Sequence, residues 1–74
     1  MTQRYHINLF WSDEDDAWIA AIPDLPGCSA HGDTPEQALH EVQTAMNLWL
    51  EVTIERGLAV PTPRYRPHDA AQAA

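Results

Sequence analysis

Tyr5, Ile7, Leu9 and Trp11 alternate with His6, Asn8 and Phe10, the two-residue period of a strand with one buried face, which predicts a first strand over residues 5–11. A charged, turn-prone run, Ser12-Asp13-Glu14-Asp15-Asp16, interrupts the pattern before Trp18, Ala20 and Ile22 resume it against Ala17, Ile19 and Ala21. The two stretches read as a hairpin. Pro23-Asp24-Leu25-Pro26-Gly27 then ends the second strand, because two prolines fix φ and withhold donors while Gly27 admits positive φ. A brief third strand is expected over residues 28–31, closed by Gly32-Asp33.

The helix start is the sharpest boundary in the chain. Asp33 or Thr34 can cap, Pro35 suits the first helical position, and Gln37 stands three residues after Thr34, the spacing of a capping box. At 100° per residue, Ala38, Leu39, Val42, Ala45, Met46 and Trp49 form one apolar stripe, with Glu36, His40, Gln43, Asn47, Glu51 and Glu55 opposite. That stripe is expected to cover the sheet. Leu48 and Ile54 fall outside it, and Gly57 marks the C-terminal stop. Beyond Gly57, Pro61-Thr62-Pro63 forces an extended path, so Arg64-Tyr65-Arg66 can pair only as an edge strand. The predicted fold is α+β: an antiparallel three-stranded sheet packed by one long helix plus a short C-terminal edge strand. It forms one domain over residues 1–66, followed by a polar, alanine-rich tail at 67–74 that is expected to be disordered.

Composition narrows what such a domain does. Eleven acidic residues against four arginines and no lysine give a formal charge of -7, which repels phosphate backbones and speaks against direct nucleic-acid binding. The same charge attracts a basic protein. One cysteine, Cys28, and a polar start without an apolar leader pattern point to the reducing cytoplasm, and no run reaches the ~18 apolar residues of a membrane span.

The candidate chemistry is thin. Asp13, Glu14, Asp15 and Asp16 are oxygen-rich but lack the spacing of a calcium loop, so the run reads as a solvated turn. Cys28, His6, His31 and His40 show no close zinc-ligand spacing, and Cys28 and His31 differ by an odd number of strand positions, so they face opposite ways. Cys28 has no evident base or orienting partner for a nucleophile. Trp11, Trp18 and Trp49 are many for a short chain, and two of them flank an acidic loop, which suits core packing or a protein interface better than base stacking. No catalytic residue, metal site or cofactor is expected, and the chain reads as a binding protein rather than an enzyme.

Three segments together resemble the HicB-like antitoxins of bacterial type II toxin–antitoxin systems. They are Tyr5-His6-Ile7-Asn8-Leu9, then Ile22-Pro23-Asp24-Leu25-Pro26-Gly27-Cys28, then Gly32-Asp33-Thr34-Pro35-Glu36-Gln37-Ala38-Leu39, and the likeness runs on through Trp49-Leu50-Glu51 and Pro61-Thr62-Pro63-Arg64-Tyr65. The resemblance implies a partial RNase H-like β-β-β-α-β fold without that enzyme's carboxylate set. It also implies a protein that docks on a small, basic HicA-type mRNA interferase and blocks it. Many family members carry a DNA-binding module after this domain; here the expectation is a stand-alone domain without one.

Self-association is expected as well, as a homodimer or tetramer, because a chain of 74 residues without a disulfide needs extra buried area. The expected protein-contact residues are Trp11, Asp13, Glu14, Asp15, Asp16 and Trp18 around the hairpin, Leu48 and Ile54 on the helix, and Arg64, Tyr65 and Arg66 after it. The alternative is a self-associating structural or regulatory domain with no toxin.

Overall fold

A computed structural model describes residues 5–65 of the chain. Three strands, β1 (Asn8–Ser12), β2 (Ala17–Ala21) and β3 (Ser29–Gly32), form an antiparallel sheet in the order β1-β2-β3, and the single helix α1 (Pro35–Glu55) lies across one face. The fold is therefore α+β, as the pattern predicts.

β1 begins three residues later than the alternation suggests. Continuing its register with β2, in which Asn8 faces Ala21, would bring His6 opposite Pro23, which has no N–H to donate, so the ladder stops short. Tyr5 is nonetheless buried and Ile7 packs against the core. At the hairpin tip Asp16 takes a left-handed φ of 52°, a conformation that aspartate tolerates better than most residues.

The proline-rich breaker is a folded plug. Leu25 N–H donates to the Ile22 carbonyl and Cys28 N–H to the Leu25 carbonyl, at 3.1 and 2.9 Å, while Gly27 supplies a φ of 80°. These two tight turns drive Leu25, fully buried, into the centre of the core with Tyr5, Ala20, Ile22, Cys28, Ala38 and Val42.

α1 starts as expected. Gln37 N–H donates to Thr34 Oγ1 at 3.0 Å, and the Gln37 side-chain oxygen reaches back to the Asp33 N–H at 2.7 Å, one residue beyond the usual capping-box donor. Its end is a Schellman closure: Gly57, with φ 70°, donates to Ile54 O, and Leu58 donates to Thr53 O. The predicted stripe faces the sheet, with Ala38 and Val42 fully buried and Leu39, Ala45, Met46 and Trp49 packed around them. Thr53 is buried too, its hydroxyl satisfied by the Trp49 carbonyl at 2.9 Å.

The helix lies mainly over β3 and β2 and meets β1 only at its margin. Small residues permit that approach. A Cβ on Gly32 would come within 2.6 Å of the Ala38 backbone nitrogen, so the strand is glycine where the helix start crosses it, and it extends one residue past its expected end. Gly32→Ala is expected to force the layers apart and destabilise by about 1–3 kcal/mol. A thermal melt checks this, since each kcal/mol shifts the midpoint by roughly 4–8 °C in a domain of this size; an unchanged midpoint would show that the helix start gives way freely.

Arg64 and Tyr65 do not form the expected edge strand; among the described residues no strand follows α1. Their N–H groups are both taken by the Asp24 side chain, at 2.9 and 3.1 Å, which removes them from any ladder. Arg66 and residues 67–74, the expected tail, lie outside the described residues.

Candidate protein-binding surface

The β1–β2 register places Trp11 directly opposite Trp18, and their rings meet edge to face at 5.8 Å and 73°. Such a pair stiffens the hairpin just before its tip. Trp11 then turns its indole N–H to Asp13 Oδ1 at 2.8 Å, and the Ser12 hydroxyl donates to Asp15 Oδ2 at 3.0 Å. All four acidic tip residues are exposed, and two of their carboxylates are oriented by these bonds. The tip is a preformed negative knob beside an aromatic residue.

Apolar surface adjoins it. β1 is an outer strand that the helix scarcely covers, so Leu9 and Trp11 are 40% and 44% exposed, and Phe10, on the face away from the helix, is 48% exposed. By register Leu9 and Trp11 share the helix-side face with Ala20 and Trp18, while Phe10 shares the opposite face with Ile19 and His31. The structure thus brings Trp11, Asp13, Glu14, Asp15, Asp16 and Trp18 together, and adds Leu9 on the helix side and Phe10 on the opposite face.

The other expected contact residues lie elsewhere. Leu48 and Ile54 are 61% and 65% exposed but stand six residues apart, about 120° around the helix, so they do not share a patch. Leu48 instead joins Val52, Trp49, Arg56 and Leu58 along a groove of about 430 Å³ whose other wall is Gly27, Cys28 and Ser29. The i, i+4 spacing of Leu48 and Val52, with Leu58 just past the glycine stop, was the available signal for that groove.

Arg64 and Tyr65 belong to a strap that crosses from the helix end to the start of β1. Tyr5 donates its hydroxyl to the Pro61 carbonyl, His6 packs its ring on Tyr65 at 4.9 Å, and Asp24 accepts the two strap N–H groups. Burial, then the nearby Asp24 charge, pushes the Tyr5 hydroxyl above its ordinary range. The two backbone N–H bonds hold the Asp24 carboxyl below the usual carboxylate range.

A carboxyl depressed in the folded state stabilises it above the unfolded value, about 3.9. That contribution is lost as pH falls through the depressed value. The amide resonances of Arg64 and Tyr65 are accordingly expected to titrate together below pH ~4, and to lose that titration in Asp24→Ala. Amides that stay still in acid would show that the carboxylate does not hold the strap.

Cys28 is buried and its thiol is pushed up by desolvation, the opposite of an activated nucleophile. Among the described residues no three His, Cys, Asp or Glu side chains converge to hold a metal ion, and no helix is long and apolar enough to cross a membrane.

Fold and surface together define a small two-layer α+β domain that presents an acidic hairpin and exposed apolar strand residues. The family described as the HicB-like antitoxin of bacterial toxin-antitoxin system matches residues 5–72. The chain belongs to that family, an antitoxin family rather than a class of enzymes. It is similar to a UPF0150 protein of Synechocystis, 38% identical over 45 residues that cover 61% of this chain and 62% of that one. A UPF0150 protein of Thermoplasma acidophilum is 28% identical over 53 residues, covering 72% and 77% of the two chains. One of Archaeoglobus fulgidus is 35% identical over 40 residues, covering 54% and 58%. The chain thus spans about three fifths of the Synechocystis and Archaeoglobus relatives, and with archaeal sequences among them the family is not confined to bacteria. No solved structure matches it.

Proposed function

We propose that this chain neutralises a small, basic mRNA interferase of the HicA type by direct protein–protein contact in the cytoplasm, without contacting nucleic acid itself. The observation that carries the reading is the exposed acidic tip, Asp13 to Asp16, oriented by Trp11 and Ser12 and continuous with the exposed Leu9 and Phe10. A toxin that grips RNA presents cationic surface. A chain of charge -7 can occupy that surface in place of phosphate, with Trp11 and Leu9, which share one face of the sheet, as desolvated anchors.

The test is co-expression with the product of the neighbouring small open reading frame. Toxicity of that product alone, its relief by this chain and a stable complex of the two are expected; a product neither toxic nor bound ends the assignment.

Self-association into a homodimer or tetramer is part of the same reading. It also supports the second one, a self-associating regulatory domain without a toxin, which the apolar groove beside Leu48 and Val52 favours.

A further inference from the structure

We propose that two copies of the chain meet at the free edge of β3, related by a two-fold axis through Ala30, so that their sheets join into one of six strands with both helices on the same side. The proposal rests on the self-association read above and adds where the copies meet.

β3 is an outer strand, and its sequence, Ser29-Ala30-His31-Gly32, has neither the proline nor the formal charge with which edges are commonly protected. Its register settles which backbone groups are available. Ile22 N–H donates to Cys28 O in the same register that sets Ala20 against Ala30 and Trp18 against Gly32. In an antiparallel ladder bonded and non-bonded pairs alternate, so Cys28, Ala30 and Gly32 turn their N–H and C=O groups toward β2. Ser29 and His31 turn theirs outward.

A second copy of β3 running antiparallel can engage those groups in one register that keeps both helices on one face. Ser29 then lies opposite His31 of the second copy, and His31 opposite its Ser29. Each such pair exchanges two backbone hydrogen bonds. Ala30 meets its own copy at the axis, in a non-bonded pair where the two chains approach most closely and a small side chain fits. Centring the axis on His31 would require the Asp33 N–H, which is already committed to Gln37.

The surface above the strand has matching asymmetry. Toward Cys28 the helix-side groove is lined by Leu48, Val52, Leu58 and Arg56, with no acidic residue. Toward Gly32 a second depression, of about 490 Å³, is lined by Asp33, Gln37 and Glu41 beside His31, with no arginine or lysine. A two-fold axis through Ala30 lays the Arg56 end of each copy against the Asp33 and Glu41 end of the other. Two chains of charge -7 thereby meet on the helix side where their charges are complementary, while on the opposite face Asp15 of each hairpin tip lines a depression with Ile19, Ser29, Ala30 and His31.

Sedimentation of the full chain at micromolar concentration is expected to give a species of twice the 8.3 kDa chain mass. His31→Pro removes an outward donor and places a ring on the edge while leaving every bond to β2 possible. It is expected to sediment as a monomer with an unchanged far-ultraviolet spectrum. Arg56→Glu should weaken association several-fold, by an amount that shrinks at high salt. In the unmodified chain, exchange of the Ser29 and His31 amides should slow as concentration rises.

A single-chain mass for the unmodified protein would overturn self-association and this interface with it. A dimer that forms equally well in folded His31→Pro, or whose Ser29 and His31 amides exchange at a concentration-independent rate, would overturn the β3 contact and leave self-association standing. Should His31→Pro not fold, the amide exchange of the unmodified chain decides alone.

Discussion

Leu25→Ala is expected to destabilise the domain by about 2–5 kcal/mol, the cost of emptying a fully buried leucine site that cannot collapse. Leu25 is held from both sides by the turns at Ile22 and Cys28, and it packs among Ile22, Ala38 and Val42. Those turns fix its backbone, so neighbouring side chains have little room to close the gap. A 74-residue domain has a total stability of roughly 4–11 kcal/mol, so the substitution removes a large fraction and can leave the isolated chain partly unfolded at 37 °C. Urea titration followed by far-ultraviolet circular dichroism measures it. A loss below ~1 kcal/mol would mean that the breaker segment is a dispensable loop rather than part of the core.

The second large effect concerns association. Replacing Asp13, Glu14, Asp15 and Asp16 by the corresponding amides is expected to leave folding intact, since all four side chains are exposed and Asn also accepts the left-handed backbone at position 16. Charge-steered encounters run at ~10⁸ M⁻¹s⁻¹ or above at low salt, against about 10⁵–10⁶ M⁻¹s⁻¹ for neutral docking. Removing four of the chain's eleven acidic groups should therefore slow binding to a basic toxin by about tenfold or more at low ionic strength, with the difference fading as salt rises. Stopped-flow or surface-capture kinetics at two salt concentrations read this directly. Equal association rates at low salt would place the toxin contact away from the hairpin.

The parts of the fold that were legible in the sequence are those fixed by neighbours in the chain. Thr34 and Gln37 announce the helix start because a cap acts over three residues, and Gly57 announces its end because the closure needs one residue at positive φ. The alternation about Asp13 to Asp16 gives the hairpin and sets Trp11 against Trp18. What depended on distant partners was less legible. Leu25 sits in a breaker cluster, and nothing local says that its side chain is the centre of the core. Arg64 and Tyr65 look free to pair until Asp24, forty residues earlier, takes their N–H groups.

The candidate surface divides the same way. Its acidic tip is visible as a run of charge. The exposure of Leu9 follows from the helix lying over β3 and β2 instead of β1, a tertiary fact that no period along the chain encodes, whereas Phe10 stands on the face away from the helix, where the alternation puts it. Leu48 and Ile54 were legible as outliers from the stripe, but helical geometry puts them on different sides, and only the structure supplies Val52, Arg56 and Leu58 as the real neighbours of Leu48.

The strap has a topological consequence. Tyr5 is bonded to Pro61 and His6 rests on Tyr65, so residues 5 and 65 lie close together although almost the whole sequence separates them. A short flexible linker joining those two positions would close the chain into a ring at little cost in the folded state while removing much of the freedom of the unfolded one. The ring can be reopened between Glu14 and Asp15, where the hairpin tip is exposed. Such a circular permutant should fold with the same sheet and helix, and it would place both new ends at the acidic tip, where an attached domain would obstruct a basic partner.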